Sequence, residues 1–97
     1  MPENPGQQIA THPSVDTEAV AEVVNRYIRQ CARVIPQTVA ITPYLELLEI
    51  GVDSITLIEI IARLEAELDF TFPDDLLTLD TFRTPASITS AVLSLIS

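Results

Sequence analysis

The sequence has no lysine, no tryptophan, one cysteine, one histidine and two glycines. Each shortage removes a class of function. Five arginines against fourteen acidic residues give a formal charge of −9, and so few cations cannot form the clustered positive surface that nucleic acid requires. Anionic membrane surfaces are disfavoured for the same reason. Cys31, alone, cannot close an intramolecular disulfide, and it falls on the apolar side of a predicted helix, where a thiol is structural rather than reactive. His12 has no companion at metal-ligand spacing. With no Cys/His pair, no acidic metal cluster and no base near a serine, neither a metal site nor a catalytic residue is expected. No apolar run reaches the length of a bilayer. The opening MPENPGQQIATHPS lacks the basic and apolar regions of a signal peptide. A cytoplasmic monomer is the expectation.

What the chain does have is hydrophobic material. Apolar residues make up 47% of the 97 positions, and the mean hydropathy is +0.33. That is too apolar for a disordered chain even at this charge, and the length suits one domain. A small acidic domain is suited to meeting basic patches on other proteins. Residues 1–14 hold three of the seven prolines and one of the two glycines, and they read as a flexible N-terminal tail. Residues 15–97 read as the folded domain.

Helical spacing organises that domain. Val20, Val23, Val24, Tyr27, Ile28, Cys31, Val34 and Ile35 recur at i, i+3, i+4 and i+7, which predicts a first helix from Thr17 to Ile35. Asp16 is its expected N-cap, Val15 and Val20 a hydrophobic staple, and Pro36 its stop. Arg29 falls on the polar side of the wheel. A long connection follows to Asp53, rich in Leu45, Leu47, Leu48 and Ile50, and expected to pack on the core. A second helix is predicted from Ser54 to Leu68 and a short third from Asp74 to Leu79 behind Pro73. A last helix is predicted from Pro85 to Ile96, capped by Thr84, with Ile88, Ala91, Val92, Leu95 and Ile96 inward. No segment alternates as a strand does. The fold class is all-α: a small four-helix bundle with three main helices, a short third one and a long loop between the first two.

The second helix carries two apolar stripes. Leu57, Ile60, Ile61, Leu64 and Leu68 share one side and form the expected core face. Ile55, Ile58, Ala62 and Ala66 lie roughly 140–150° away at 100° per residue, bordered by Glu59 and Glu65. Either this second stripe docks a partner or the long loop wraps it.

Ahead of this helix stands Gly51-Val52-Asp53-Ser54-Ile55. Gly51 allows a tight turn, and either Asp53 or Ser54 can cap the helix. A phosphodiester on a serine at this point would meet unpaired N–H groups and the positive end of the helix dipole. The pentapeptide resembles the G-x-D-S-[LI] attachment motif of acyl carrier proteins. The order of elements is similar to that family from about residue 16 to 96, as are Leu64-Glu65, Phe72-Pro73-Asp74 and Phe82-Arg83-Thr84 with Ile88. The resemblance implies a covalent 4′-phosphopantetheine at Ser54, received from coenzyme A through a phosphopantetheinyl transferase. It also implies partner contacts at Asp53, Ile55, Ile58, Glu59 and Ala62. The partners it implies are the transferase, an acyltransferase or acyl ligase, and a ketosynthase or other acyl-processing enzyme.

Thr56 stands where fatty-acid carriers commonly have Asp, and Arg63 interrupts the acidic run. Both suit a discrete carrier of polyketide or related secondary metabolism. A peptidyl carrier usually has Gly-Gly-His-Ser or Gly-Gly-Asp-Ser before its helix and a less acidic chain, so Val52 and the charge favour an acyl cargo. An aminoacyl carrier stays open as the alternative, and an unmodified acidic adaptor is the competitor from another class.

Overall fold

The computed structural model describes residues 16–96. They form three α-helices: α1 (Thr17–Cys31), α2 (Ser54–Leu68) and α3 (Pro85–Ile96), with a 3-10 turn at Asp74–Leu76 between the last two. No strand occurs among the described residues, so the all-α expectation holds. α1 packs against both other helices. The shared core includes Val24, Ile28, Ile60, Leu64, Ile88 and Val92, all fully buried. Each such side chain stabilises the fold by about 1.5–3 kcal/mol relative to exposure.

The caps explain most helix ends. Asp16 accepts from the Glu18 N–H at 3.0 Å and starts α1; the expected staple partner Val15 lies outside the described residues. Thr84 and Ser87 cap α3 reciprocally, each side-chain oxygen accepting the other's N–H at 3.0–3.1 Å, a capping box with serine in the place of glutamate. α2 ends at Asp69, which adopts the left-handed conformation at φ 56°. There the Asp69 N–H returns to the Glu65 carbonyl, and the Glu65 carboxylate accepts from the Phe72 N–H at 2.8 Å. Glu65 is thus drawn into the turn rather than standing as a free border of the outer stripe.

Two ends differ from expectation. α1 stops at Cys31, four residues before Ile35. The Ala32 N–H makes the last helical bond, to Ile28, and Ile35 N–H closes a tight turn onto Ala32. The residue before a proline is disfavoured in helical conformation, and the turn still delivers Ile35 to the core while leaving Val34 56% exposed. The short third helix is only the 3-10 turn. Thr78 Oγ1 accepts from the Thr81 N–H at 3.3 Å, a local side-chain turn that competes with helix, so Leu77 and Leu79 are left outside.

The long loop is tied at both ends. Arg29 donates to the carbonyls of Pro36 at 3.0 Å and Val39 at 2.6 Å, a structural role its place on the wheel did not suggest. Pro43 accepts from the Ala86 N–H at 2.9 Å, and the Leu47 N–H donates to Arg83 at 3.0 Å. Leu47 is fully buried and Leu45 and Ile50 half-buried, as expected. Leu48 is not: it is exposed.

Candidate functional site

The segment before α2 is built residue by residue for a sharp entry. Gly51 takes φ 99°, a region that side chains other than glycine rarely tolerate. Its N–H donates to the Leu48 carbonyl at 3.2 Å, and the Val52 N–H to the Leu47 carbonyl at 3.0 Å. Val52 is buried and pins the turn to the core. Asp53, not Ser54, is the N-cap: its carboxylate accepts from the Thr56 N–H at 2.8 Å. That hydrogen bond holds the Asp53 carboxyl below its ordinary range. The next donor, the Leu57 N–H, goes to the Asp53 carbonyl at 3.0 Å.

Ser54 is therefore the first helical residue, exposed and relieved of capping. Among the described residues its hydroxyl has no hydrogen-bond partner, and the N–H groups of Ser54 and Ile55 have no acceptor. Two donors and the positive end of α2 thus face solvent beside a free hydroxyl. An apolar groove of about 350 Å³ opens beside it, walled by Leu57, Ile58 and Ile61 of α2 and by Leu77, Thr78, Leu79 and Phe82 opposite. Phe82 is held in place edge-on by Phe72, at 5.2 Å between ring centres, and Phe72 in turn by Phe70 at 4.8 Å.

The two stripes of α2 separate as the spacing predicts. Leu57, Ile60 and Leu64 are buried, whereas Ile55 and Ile58 are 78% and 64% exposed. Ala62 and Ala66 are exposed beside them, so the loop does not wrap this face. The structure brings Asp53, Ser54, Ile55, Ile58, Glu59 and Ala62 together on one open surface. Glu59 pairs with Arg63 one turn on, at 3.3 Å, so the residue that interrupts the acidic run also offsets part of it. Cys31 is buried; burial first, then the Glu59 carboxylate, raises its thiol above the ordinary range. Leu77 and Leu79 are the surface residues that the sequence pattern missed. The run Leu76-Leu77-Thr78-Leu79 held a signal, since a segment that short cannot turn all three leucines inward.

Among the described residues no group of His, Cys, Asp or Glu could hold a metal ion, and no helix is long and apolar enough to cross a membrane.

A family model described as "Phosphopantetheine attachment site" matches residues 26–92, from within α1 to within α3. The chain belongs to this family of phosphopantetheine-binding carriers: it bears the cofactor covalently and is a carrier, not an enzyme. Comparison with curated proteins gives no match. Among solved structures, the fold is similar to a chain in the crystal structure of Bradyrhizobium japonicum glycine:[carrier protein] ligase complexed with its cognate carrier protein and an analogue of glycyl adenylate. The TM-score is 0.60 at 20% identity, covering 80% of this chain and 95% of that one.

Proposed function

We propose that Ser54 is the residue that carries 4′-phosphopantetheine, and that the chain presents acyl intermediates on it to the enzymes of polyketide-type secondary metabolism. The observation that carries this reading is the exposed, unpartnered Ser54 hydroxyl at the start of α2, with Asp53 taking the capping role. When bound, the group supplies a terminal thiol that holds acyl chains as thioesters. In the attachment step the Ser54 oxygen forms a bond to the phosphorus bearing pantetheine. The pyrophosphate P–O bond of coenzyme A breaks, adenosine bisphosphate leaves, and the hydroxyl proton passes to the transferase. The chain's own contribution is to hold the oxygen outward and to offer the Ser54 and Ile55 N–H groups to the phosphodiester. The groove between Ile58 and Leu79 gives the root of the arm an apolar bed.

On this reading Asp53, Ile55, Ile58, Glu59 and Ala62 form the docking face for the transferase, an acyltransferase or ligase, and a ketosynthase. Residues 15–97 are the carrier domain and 1–14 a tail, in a cytoplasmic monomer. Incubation with coenzyme A and a broad-specificity phosphopantetheinyl transferase should add one phosphopantetheine by intact mass, and Ser54→Ala should abolish the gain with unchanged far-UV circular dichroism. Modification surviving in that variant, at Ser87 for example, defeats the assignment.

A second reading, an aminoacyl carrier, is favoured by the likeness to the carrier protein bound to a glycine ligase. Competition between acyl and aminoacyl ligases for the loaded protein, read by mass, separates the two.

A further inference from the structure

Leu79 is a ridge between two grooves. On one side it closes the apolar trough that runs from Ser54. On the other, a second groove of about 270 Å³ is lined by Glu46, Leu48, Glu49, Leu79, Asp80 and Arg83. Leu48 and Leu79 are 42% and 60% exposed, and Leu77 beside them 46%. Exposed leucines gathered on one side of a domain this small mark a contact surface. Its charge is one-sided. Arg83 is paired with Glu46 at 3.2 Å, whereas Glu49 and Asp80 have no cationic partner among the described residues.

We propose that this second groove docks a basic amphipathic helix of a partner enzyme, with apolar side chains on Leu48 and Leu79 and Arg or Lys on Glu49 and Asp80. The inference rests on the carrier reading, because it gives the partner of Ser54 a second foothold. Ile58 stands on one bank of the Ser54 groove and Leu79 on the other. A partner gripping both banks is fixed in direction as well as in place, since charge steers the approach and apolar contact holds it. A second copy of this chain does not fit the same description. It has no lysine; Arg26, Arg63 and Arg83 are ion-paired, and Arg29 is bonded to loop carbonyls. Only Arg33 is left without such a partner among the described residues, too little to answer two carboxylates.

The test uses the full, unmodified chain, labelled with nitrogen-15, and a short helical peptide of leucine and lysine as probe. The amides of Leu48, Glu49, Leu79 and Asp80 should shift together on titration, and a peptide with glutamate in place of lysine should leave them unmoved. Glu49→Arg with Asp80→Arg should weaken the lysine peptide about tenfold, equivalent to about 1.4 kcal/mol. Leu79→Gln should weaken it as well, which guards against a variant altered in fold. Shifts confined to residues 55–66, shifts spread over Glu18 and Glu22, or an unchanged affinity in the variants overturn the proposal. So do concentration-dependent shifts at Leu79 without peptide, which would assign the groove to a second copy. Peptide binding needs no phosphopantetheine, so its loss with normal modification rejects this groove alone. Failed modification with intact peptide binding rejects the Ser54 assignment alone.

Discussion

A β-carbon placed on Gly51 would stand 3.1 Å from Cγ2 of Val34, three residues past the end of α1. Gly51 also holds φ 99°, so two independent constraints exclude a side chain there. Adopting a left-handed backbone costs a residue with a β-carbon roughly 1–2 kcal/mol, and the close contact adds to it. Gly51→Ala should therefore destabilise the domain by at least about that amount in denaturant melts. It should also slow modification of Ser54 in the folded protein, because the turn that aims the serine is displaced. Unchanged stability would mean that Val34 and the turn yield freely.

The two stripes of α2 make opposite predictions. Leu64 is fully buried, and truncation to alanine should cost about 2–5 kcal/mol. Ile58 is exposed, so Ile58→Ala should cost no more than about 0.5 kcal/mol. At a partner surface, however, an apolar anchor is worth more, and each 1.4 kcal/mol is about tenfold in affinity. Melts and transferase kinetics on both variants should show Leu64→Ala unstable, and Ile58→Ala folded but poorly recognised. An Ile58→Ala protein that unfolds would move this stripe into the core.

Acid should loosen the contact between α1 and α2. The Tyr27 hydroxyl donates to Glu67 at 2.7 Å and Arg26 lies 3.2 Å from the same carboxylate. The Tyr27 bond first, then Arg26, holds the Glu67 carboxyl below its ordinary titration range. A carboxyl depressed in the folded state is protonated more readily once unfolded. Its contribution is present above the unfolded value, about 4.3, and is lost as pH falls through the folded one. Asp53, lowered by its bond from Thr56, acts in the same sense. The fall in melting temperature between about pH 6 and pH 3 should be shallower in Glu67→Gln than in the parent, across the ordinary carboxyl range. Equal slopes would leave this cluster without a share in acid sensitivity.

A chain beginning at Ser14 should melt within about 2 °C of the full chain, since about 1 kcal/mol would move a domain this size by roughly 4–8 °C. The reason is that the described core closes among residues 20–92 alone. A larger drop would show that the first thirteen residues pack on the bundle.

The boundaries of α2 and α3 were legible because Asp53, Thr84 and Pro85 mark starts and the apolar stripes run without a break. The end of α1 was not. Ile35 is buried in the turn as it would have been in a helix, so the periodic pattern continues past the point where the backbone leaves the helix. The clamp from Arg29 left no trace in the sequence because its acceptors are backbone carbonyls, which any residue supplies. Ser54 and the outer face of α2 could be read locally, from one pentapeptide and one helix. The second groove could not, since Leu48 and Leu79 are brought together by the fold.

The hydrogen bonds from Leu47 to Arg83 and from Ala86 to Pro43 fasten the loop ahead of Ser54 to the start of α3. With Ser54 as the proposed attachment residue, the root of the arm is moored on a segment tied to α3 rather than on a free loop. Everything the cargo can reach is then set by the length of the arm and the posture in which an enzyme receives the domain. Two enzymes competing for the same cargo compete by effective concentration within that radius. The carrier can choose between them only through the surfaces around the mooring, which is where its exposed isoleucines and leucines lie.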